Sequence, residues 1–194
     1  MKIIARFAIA TVIVALLSAA AIAGEITVIK AGSLFDSSTG KVIRNAVIVV
    51  QGDRITAVGR GETEIPEGAT VIDLSSSFVL PGVMDMHTHI VSNLDNYFFA
   101  GYFQSPHRAT IGGVVNAEKT LLAGFTTIRN VGAGDYADVA IRNAINAGEI
   151  SGPRMAVSGP GLGITGGHCD NNSLNTSFEE RSDGVADGPW EVRR

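Results

Sequence analysis

Two histidines separated by one residue, His87 and His89, stand at the end of an apolar stretch that is typical of a buried β-strand. Side chains alternate along an extended strand, so Asp85, His87 and His89 are expected to share one face. Neutral imidazole is a good ligand for zinc and similar divalent cations, and such a cation activates water at neutral pH. The spacing therefore predicts two ligands of one metal ion; the alternative is two histidines that are neighbours by chance.

The elements that must position these histidines fall into two parts. As far as Leu80 the sequence predicts short strands, two of them joined by the turn Gly52-Asp53. Beyond Leu80 the predicted order is strand, helix, strand, helix, strand, which favours a parallel sheet with its chemistry at the C-terminal strand ends. The predicted strands are 26–31, 45–51, 54–59, 70–74, 83–89, 125–131 and 154–158, and the predicted helices are one ending near Leu122 and one over 136–146, each stopped by a glycine.

The stretch 79–89, with the sequence VLPGVMDMHTH, resembles the first-strand signature of the amidohydrolase superfamily. The strands before it look like the family's N-terminal sandwich half. The segments 124–130 and 166–168 are similar to the branch that contains imidazolonepropionase-like enzymes and secreted Xaa-Pro dipeptidases. The resemblance implies an α/β fold: the N-terminal part of a metal-dependent (β/α)8 barrel, with about three βα units, preceded by a small β-sandwich module. The implied domains are a signal peptide over 1–23, part of the sandwich over 24–80 and the incomplete barrel over 81–194.

The same resemblance implies a hydrolase of C–N bonds in amides or dipeptide-like substrates, which uses a metal-activated water. A deaminase or cyclic-amide hydrolase of the same superfamily is the alternative. His87 and His89 match the two ligands of the first strand, and the cofactor would be one or two divalent ions, zinc above all. The family's other ligands come from later strands that this sequence does not contain, so no catalytic residue is assigned. We therefore expect a truncated, catalytically incomplete chain, or a non-catalytic fragment without a stable function.

Several further residues are candidates for roles near these histidines. His168 follows a glycine-rich segment suited to a loop over a pocket, so it is interpreted as a substrate contact or an exposed loop histidine. Asp85 could accept a ligand N–H from outside the ligand set, or be a buried carboxylate with an interior partner. Arg129 and Asn130 end the second parallel strand and are expected to line the barrel mouth. Cys169 is the one cysteine, which rules out an intramolecular disulfide and favours an incidental thiol.

The first residues have the pattern of an export signal. Lys2 and Arg6 precede an apolar core, and Ala21-Ile22-Ala23 matches a cleavage site, which predicts a periplasmic or secreted protein with no membrane contact after cleavage. An uncleaved N-terminal anchor is the alternative, but the apolar core is shorter than the about 20 residues that a membrane span needs. The predicted mature chain has 13 basic against 19 acidic residues, a formal net charge of −6. It has no basic cluster, which excludes nucleic acid as an expected partner. A small-molecule amide or dipeptide is the expected partner, and homo-oligomer formation is left open.

Two segments near the ends of the barrel part carry predictions of their own. The aromatic run 97–103 is expected to pack at the barrel rim, with a wall over the metal as the alternative. Near the C-terminus, Asp187 followed by Pro189 has the pattern of a helix start with Asp187 as its cap. Because the sequence ends at Arg194, one turn later, we expect an incomplete reading frame.

Overall fold

The structure is a computed structural model and describes residues 25–61, 63–92, 103–172, 175, 177 and 181–193. The predicted signal peptide over 1–23 and most of the aromatic run lie outside the described residues. The chain divides into two compact units, one ending at Pro81 and one beginning at Gly82. Among the described helices, none has the length and apolar character needed to cross a membrane.

The first unit is a four-stranded mixed sheet. Its strands are β1 (Ile26–Asp36), β2 (Lys41–Gln51), β3 (Arg54–Arg60) and β4 (Thr70–Val79), in the spatial order β3-β2-β1-β4. β1 pairs antiparallel with β2 and parallel with β4, and β2 pairs antiparallel with β3. The predicted two-residue turn between β2 and β3 is confirmed, and Gly52 takes the positive φ of 59° that such a turn requires.

The second unit is a three-stranded parallel sheet with helices in the connections. Its elements are β5 (Val83–Thr88), α1 (Pro106–Leu122), β6 (Phe125–Asn130), α2 (Ala137–Asn146), β7 (Arg154–Val157) and α3 (Pro189–Val192). The strands lie in the order β5-β6-β7. The predicted alternation of strands and helices is confirmed, and this mixed α/β architecture is consistent with the first units of a (β/α)8 barrel.

The core of the second unit lies between its sheet and its two long helices. The buried side chains are Ile90, Ala117, Ile128, Ile141 and Met155. Burying one such aliphatic side chain contributes about 1.5–3 kcal/mol. This packing fixes α1 and α2 behind the sheet, and it thereby fixes the strand ends that carry the candidate site.

Helix boundaries in the second unit follow from local sequence. The Ser105 hydroxyl accepts the backbone N–H of Arg108 at 3.3 Å, and Pro106 begins α1. Gly124 and Gly148 follow α1 and α2 with φ of 95° and 73°, as expected for glycines that end helices.

The short helix α3 corrects one sequence prediction. Pro189 does begin a helix, but the residue at its cap position is Gly188, with no side-chain cap bond, and not Asp187. The Asp187 carboxylate instead accepts the backbone N–H and the hydroxyl of Thr165, which lies 22 residues earlier in the chain. The prediction of Asp187 as a cap was wrong because a tertiary partner competes for its carboxylate.

Candidate metal and substrate site

The two histidines lie where β5 leaves its regular pairing with β6. Asp85 pairs with Ile128 and Thr88 pairs with Asn130, so the two residues of β5 between these pairs lie opposite one residue of β6. An extra residue of this kind is a β-bulge, which bends the strand and redirects its side chains. The strict alternation predicted for this strand is therefore interrupted between Asp85 and Thr88, whereas His87 and His89 line the same concavity.

Asp85 and His87 line different concavities, and His89 lies between the two. His87 and His89 line one concavity, and Asp85 and His89 line the other, together with Thr88 and Asn116. The Asp85 carboxylate accepts the backbone N–H of His87 at 3.0 Å. The side chain of Asp85 therefore contacts the backbone of His87. A hydrogen bond from the ring N–H of a histidine to Asp85 stays a prediction.

The imidazoles of His87 and His89 stand edge to face. Their ring centroids are 5.5 Å apart and their planes are inclined by 65°. The Nδ1 atom of His89 lies 3.3 Å from the carbonyl oxygen of Gly132. A carbonyl oxygen only accepts hydrogen bonds, so this contact places the proton on Nδ1 and leaves the lone pair on Nε2.

The separation of the two imidazoles is compatible with their binding one divalent cation. Zn–N bonds are about 2 Å long, so two imidazoles bound tetrahedrally to one zinc ion have ring centroids about 5 Å apart. The observed separation of 5.5 Å is close to that value. Among the described residues, no group of three or more His, Cys, Asp or Glu side chains is close enough to hold a metal. His87 and His89 are therefore suited to be two ligands of a larger set.

The third predicted site residue, His168, lines the same concavity as the two strand histidines. This concavity has a volume of about 700 Å³ and is formed by the C-terminal end of β5 and by the loops that follow β6 and β7. His168 is exposed, and the thiol-bearing Cys169 is half-buried beside it. The structure thus brings together three of the four predicted site residues, and it adds Cys169 and Asp183 to the walls.

Two carboxylates hold the loop that carries His168. Asp170 accepts the backbone N–H groups of Gly166 at 2.8 Å and Ser182 at 3.3 Å. These backbone N–H groups hold the pKa of the Asp170 carboxyl below its ordinary value. Asp170 thereby connects Gly166, which precedes His168, with Ser182, which follows it.

The second carboxylate, Asp187, anchors the start of the same loop. Its bonds from the hydroxyl and N–H of Thr165 lower the pKa of the Asp187 carboxyl. Arg181 lies 3.3 Å from Asp187 and 2.7 Å from Glu191, which extends the anchor to α3. All of these side chains are exposed, so the ion pairs serve to orient the loop more than to stabilise the fold.

The ends of β6 and β7 are tied together by a buried polar pair, Asn130 and Asp138. Both residues are 0% exposed. The expectation that Asn130 lines the barrel mouth is therefore wrong. Its neighbour Arg129 is exposed, and its Nε–H donates to the carbonyl of Met86 at 2.6 Å. The sequence contains a signal for the burial of Asn130. It lies two residues after the apolar Ile128, and residues two apart on a strand share a face.

The fold and these strand-end histidines define a member of a known family. Residues 78–192 match the amidohydrolase family, and the chain belongs to it. The chain is 32% identical over 190 residues to an ochratoxinase of Aspergillus niger, an alignment that covers 88% of this chain and 38% of that protein.

Solved structures agree with this assignment. A crystal structure of a Xaa-Pro dipeptidase with methionine bound in its active site matches 87% of this chain at 32% identity, with a TM-score of 0.77. A prolidase in complex with N-methylphosphonate-L-proline matches 87% at 30% identity, with a TM-score of 0.72. The chain covers 44% and 42% of those two chains, so it spans less than half the length of the proteins it resembles.

Proposed function

We propose that this chain is part of an exported, metal-dependent amidohydrolase that cleaves C–N bonds in small amides of the dipeptide class. The observation that carries the proposal is the placing of His87, His89 and His168 around one concavity at the C-terminal ends of parallel strands. The likeness to a Xaa-Pro dipeptidase and to a prolidase supports the substrate class. Export rests on the signal pattern of 1–23.

Each residue has a defined task in this proposal. His87 and His89 hold a divalent cation, with zinc as the ion best matched to two imidazoles. Such a cation lowers the pKa of a bound water and polarises a carbonyl. His168 reaches into the same concavity from its loop, where either ring nitrogen can donate to or accept from a substrate polar group. The Asp170 carboxylate keeps that loop folded.

The domain organisation follows the same proposal. The second unit forms the first βα units of a barrel, and the four-stranded sheet is part of a sandwich module. Within residues 1–194, His87 and His89 supply part of the ligand set that the amidohydrolase resemblance implies.

Zinc binding by the full chain tests the proposal. Isothermal titration with Zn²⁺ is expected to show one bound ion. His87→Ala and His89→Ala are each expected to weaken binding by more than the roughly 10- to 100-fold that loss of an outer hydrogen-bond partner costs. His107→Ala is the matched control, because His107 is an exposed histidine on α1 outside this concavity and its removal should leave the affinity unchanged.

Three results would contradict parts of the proposal. Zinc affinity that is the same in wild type, His87→Ala and His89→Ala would remove the proposed metal site. Hydrolysis of a Xaa-Pro dipeptide by the purified zinc-loaded chain would contradict the proposed partial ligand set. Chemical-shift changes at His168 on addition of the dipeptide are expected from its substrate contact, and their absence would remove that role.

A further inference from the structure

We propose that Asn130 is a positioning residue for His89. Its side-chain amide, oriented by the buried Asp138, holds the Gly132 carbonyl. That carbonyl keeps the proton of His89 on Nδ1, which leaves the lone pair of Nε2 available to a cation. The role of His89 as a ligand rests on the proposed function, whereas the orientation of its ring does not.

The orientation of the Asn130 amide is set by its partners. Its Oδ1 accepts the backbone N–H of Ile90 at 2.7 Å, so its Nδ2 must be the donor on the other side. That Nδ2 donates to Asp138 Oδ2 at 2.9 Å and to the Gly132 carbonyl at 3.2 Å. A side chain that is 0% exposed and bonded on both its oxygen and its nitrogen has one orientation, because the flipped amide would face a donor with a donor.

Asp138 supplies the constraint that fixes this orientation. Its carboxylate is also fully buried and accepts N–H groups from Asn130, from Val139 at 2.9 Å and from Gly159 at 3.2 Å. An ionised carboxylate only accepts hydrogen bonds, so the atom of residue 130 that faces it must be a donor. Position 130 therefore needs an amide, since an aspartate would set two carboxylates side by side in the core.

Asn130 acts on His89 from two directions. It holds the N–H of Ile90, the next residue in the chain, and it holds the Gly132 carbonyl that faces His89 Nδ1 at 3.3 Å. A histidine that ligates a metal through one nitrogen commonly donates its other N–H to a carbonyl, which fixes the tautomer and the ring plane. The buried pair thus connects the interior of the second unit to one ligand of the proposed site.

The test is the protonation site of His89 in the metal-free full chain. With ¹⁵N-labelled histidine, NMR distinguishes an imidazole that carries its proton on Nδ1 from one that carries it on Nε2. We expect Nδ1–H in the wild type. In Asn130→Ala we expect a mixture with Nε2–H and a Zn²⁺ affinity that is about 10- to 100-fold weaker.

Two variants separate the contributions. Asn130→Leu keeps a side chain of similar size but removes both donors, so it should lose the Nδ1–H preference as Asn130→Ala does. Asn116→Ala is the matched control, because the Asn116 amide donates to the carbonyls of Ile90 and Ser92 and makes no contact with Gly132. It removes an asparagine on α1 that also bonds to Ile90, and it should keep both the tautomer and the affinity.

Failure of the orienting role of Asn130 can be distinguished from failure of the proposed metal site. A proton on Nε2 of wild-type His89 overturns the inference directly, whether or not any variant folds. A folded Asn130→Ala with wild-type tautomer and Zn²⁺ affinity also overturns it. Nδ1–H in a wild-type chain that binds no Zn²⁺ contradicts the metal site and supports the orienting role of Asn130.

Discussion

The contact between α1 and α2 gives a quantitative test of the packing behind the site. A Cβ added to Gly113 would lie 2.5 Å from the Cδ1 atom of Ile141 and 3.0 Å from a methyl group of Val91. Overpacking of this kind costs about 1–3 kcal/mol. Alanine is favoured over glycine inside a helix by about 1 kcal/mol, so Gly113→Ala should destabilise the chain by roughly 0–2 kcal/mol.

A second substitution removes the atom that causes the clash. Ile141→Val deletes Cδ1 from a side chain that is 1% exposed, and by itself it should cost about 0.5–1.5 kcal/mol. In the double variant the new methyl group occupies the space that Cδ1 has left. The double variant should therefore be more stable than the sum of the single effects predicts, by about 1–2 kcal/mol, which is within the range for residues in contact.

Urea unfolding of the wild type, both single variants and the double variant measures this coupling. Gly112→Ala is the matched control, because a Cβ at Gly112 meets nothing within 4 Å. It should stabilise α1 by up to about 1 kcal/mol and should combine additively with Ile141→Val. The packing argument is refuted if Gly113→Ala stabilises the chain as much as Gly112→Ala does, or if its effect adds to that of Ile141→Val within about 0.5 kcal/mol.

The remaining predictions concern carboxylates outside the core. The folded-state pKa values of Asp170 and Asp187 lie below their ordinary value of 3.8, so the stabilisation of the His168 loop is complete above that pH and is lost as the pH falls through the lowered values. Amide exchange at Gly166, corrected for its intrinsic pH dependence, should accelerate below that pH. Asp170→Asn should reduce the acceleration to the part that Asp187 causes, and an unchanged profile in this variant would contradict the assignment. In the turn after β1, the Ser38 hydroxyl and N–H help to lower the Asp36 pKa to about 2, so an NMR titration should return that value and Ser38→Ala should raise it. An Asp36 that titrates at its ordinary pKa in the wild type would exclude these bonds.

Local patterns were sufficient for the elements and for the histidine pair. The apolar strand, the Pro-Gly before it and the one-residue spacing placed His87 and His89 at a strand end, where the structure has them. Glycines such as Gly124 and Gly148 marked the helix ends because their positive φ is a local requirement. These features depend on residues that are close in sequence.

Features that depend on distant partners were not predictable in this way. The face of Asp85 depends on a bulge, and the bulge is defined only by pairing with Ile128 and Asn130 some forty residues later. The local sequence predicted Asp187 as a helix cap, whereas in the structure its carboxylate accepts the backbone N–H of Thr165. The Asn130–Asp138 pair likewise bonds to Ile90 and Gly159, which lie in different connections of the sheet.

The strand order of the second unit has a consequence for how the chain assembles during synthesis. β5, β6 and β7 are neighbours in space in the order in which they leave the ribosome, so each new strand finds its partner already present. Asn130 can bond to Ile90 as soon as β6 has formed, but Asp138 gains its bond from Gly159 only when the residue after β7 has emerged. The bonds from Asn130 to Ile90, Asp138 and Gly132 can therefore form before β7 is present, and Gly159 completes the buried pair after the third strand has joined the sheet.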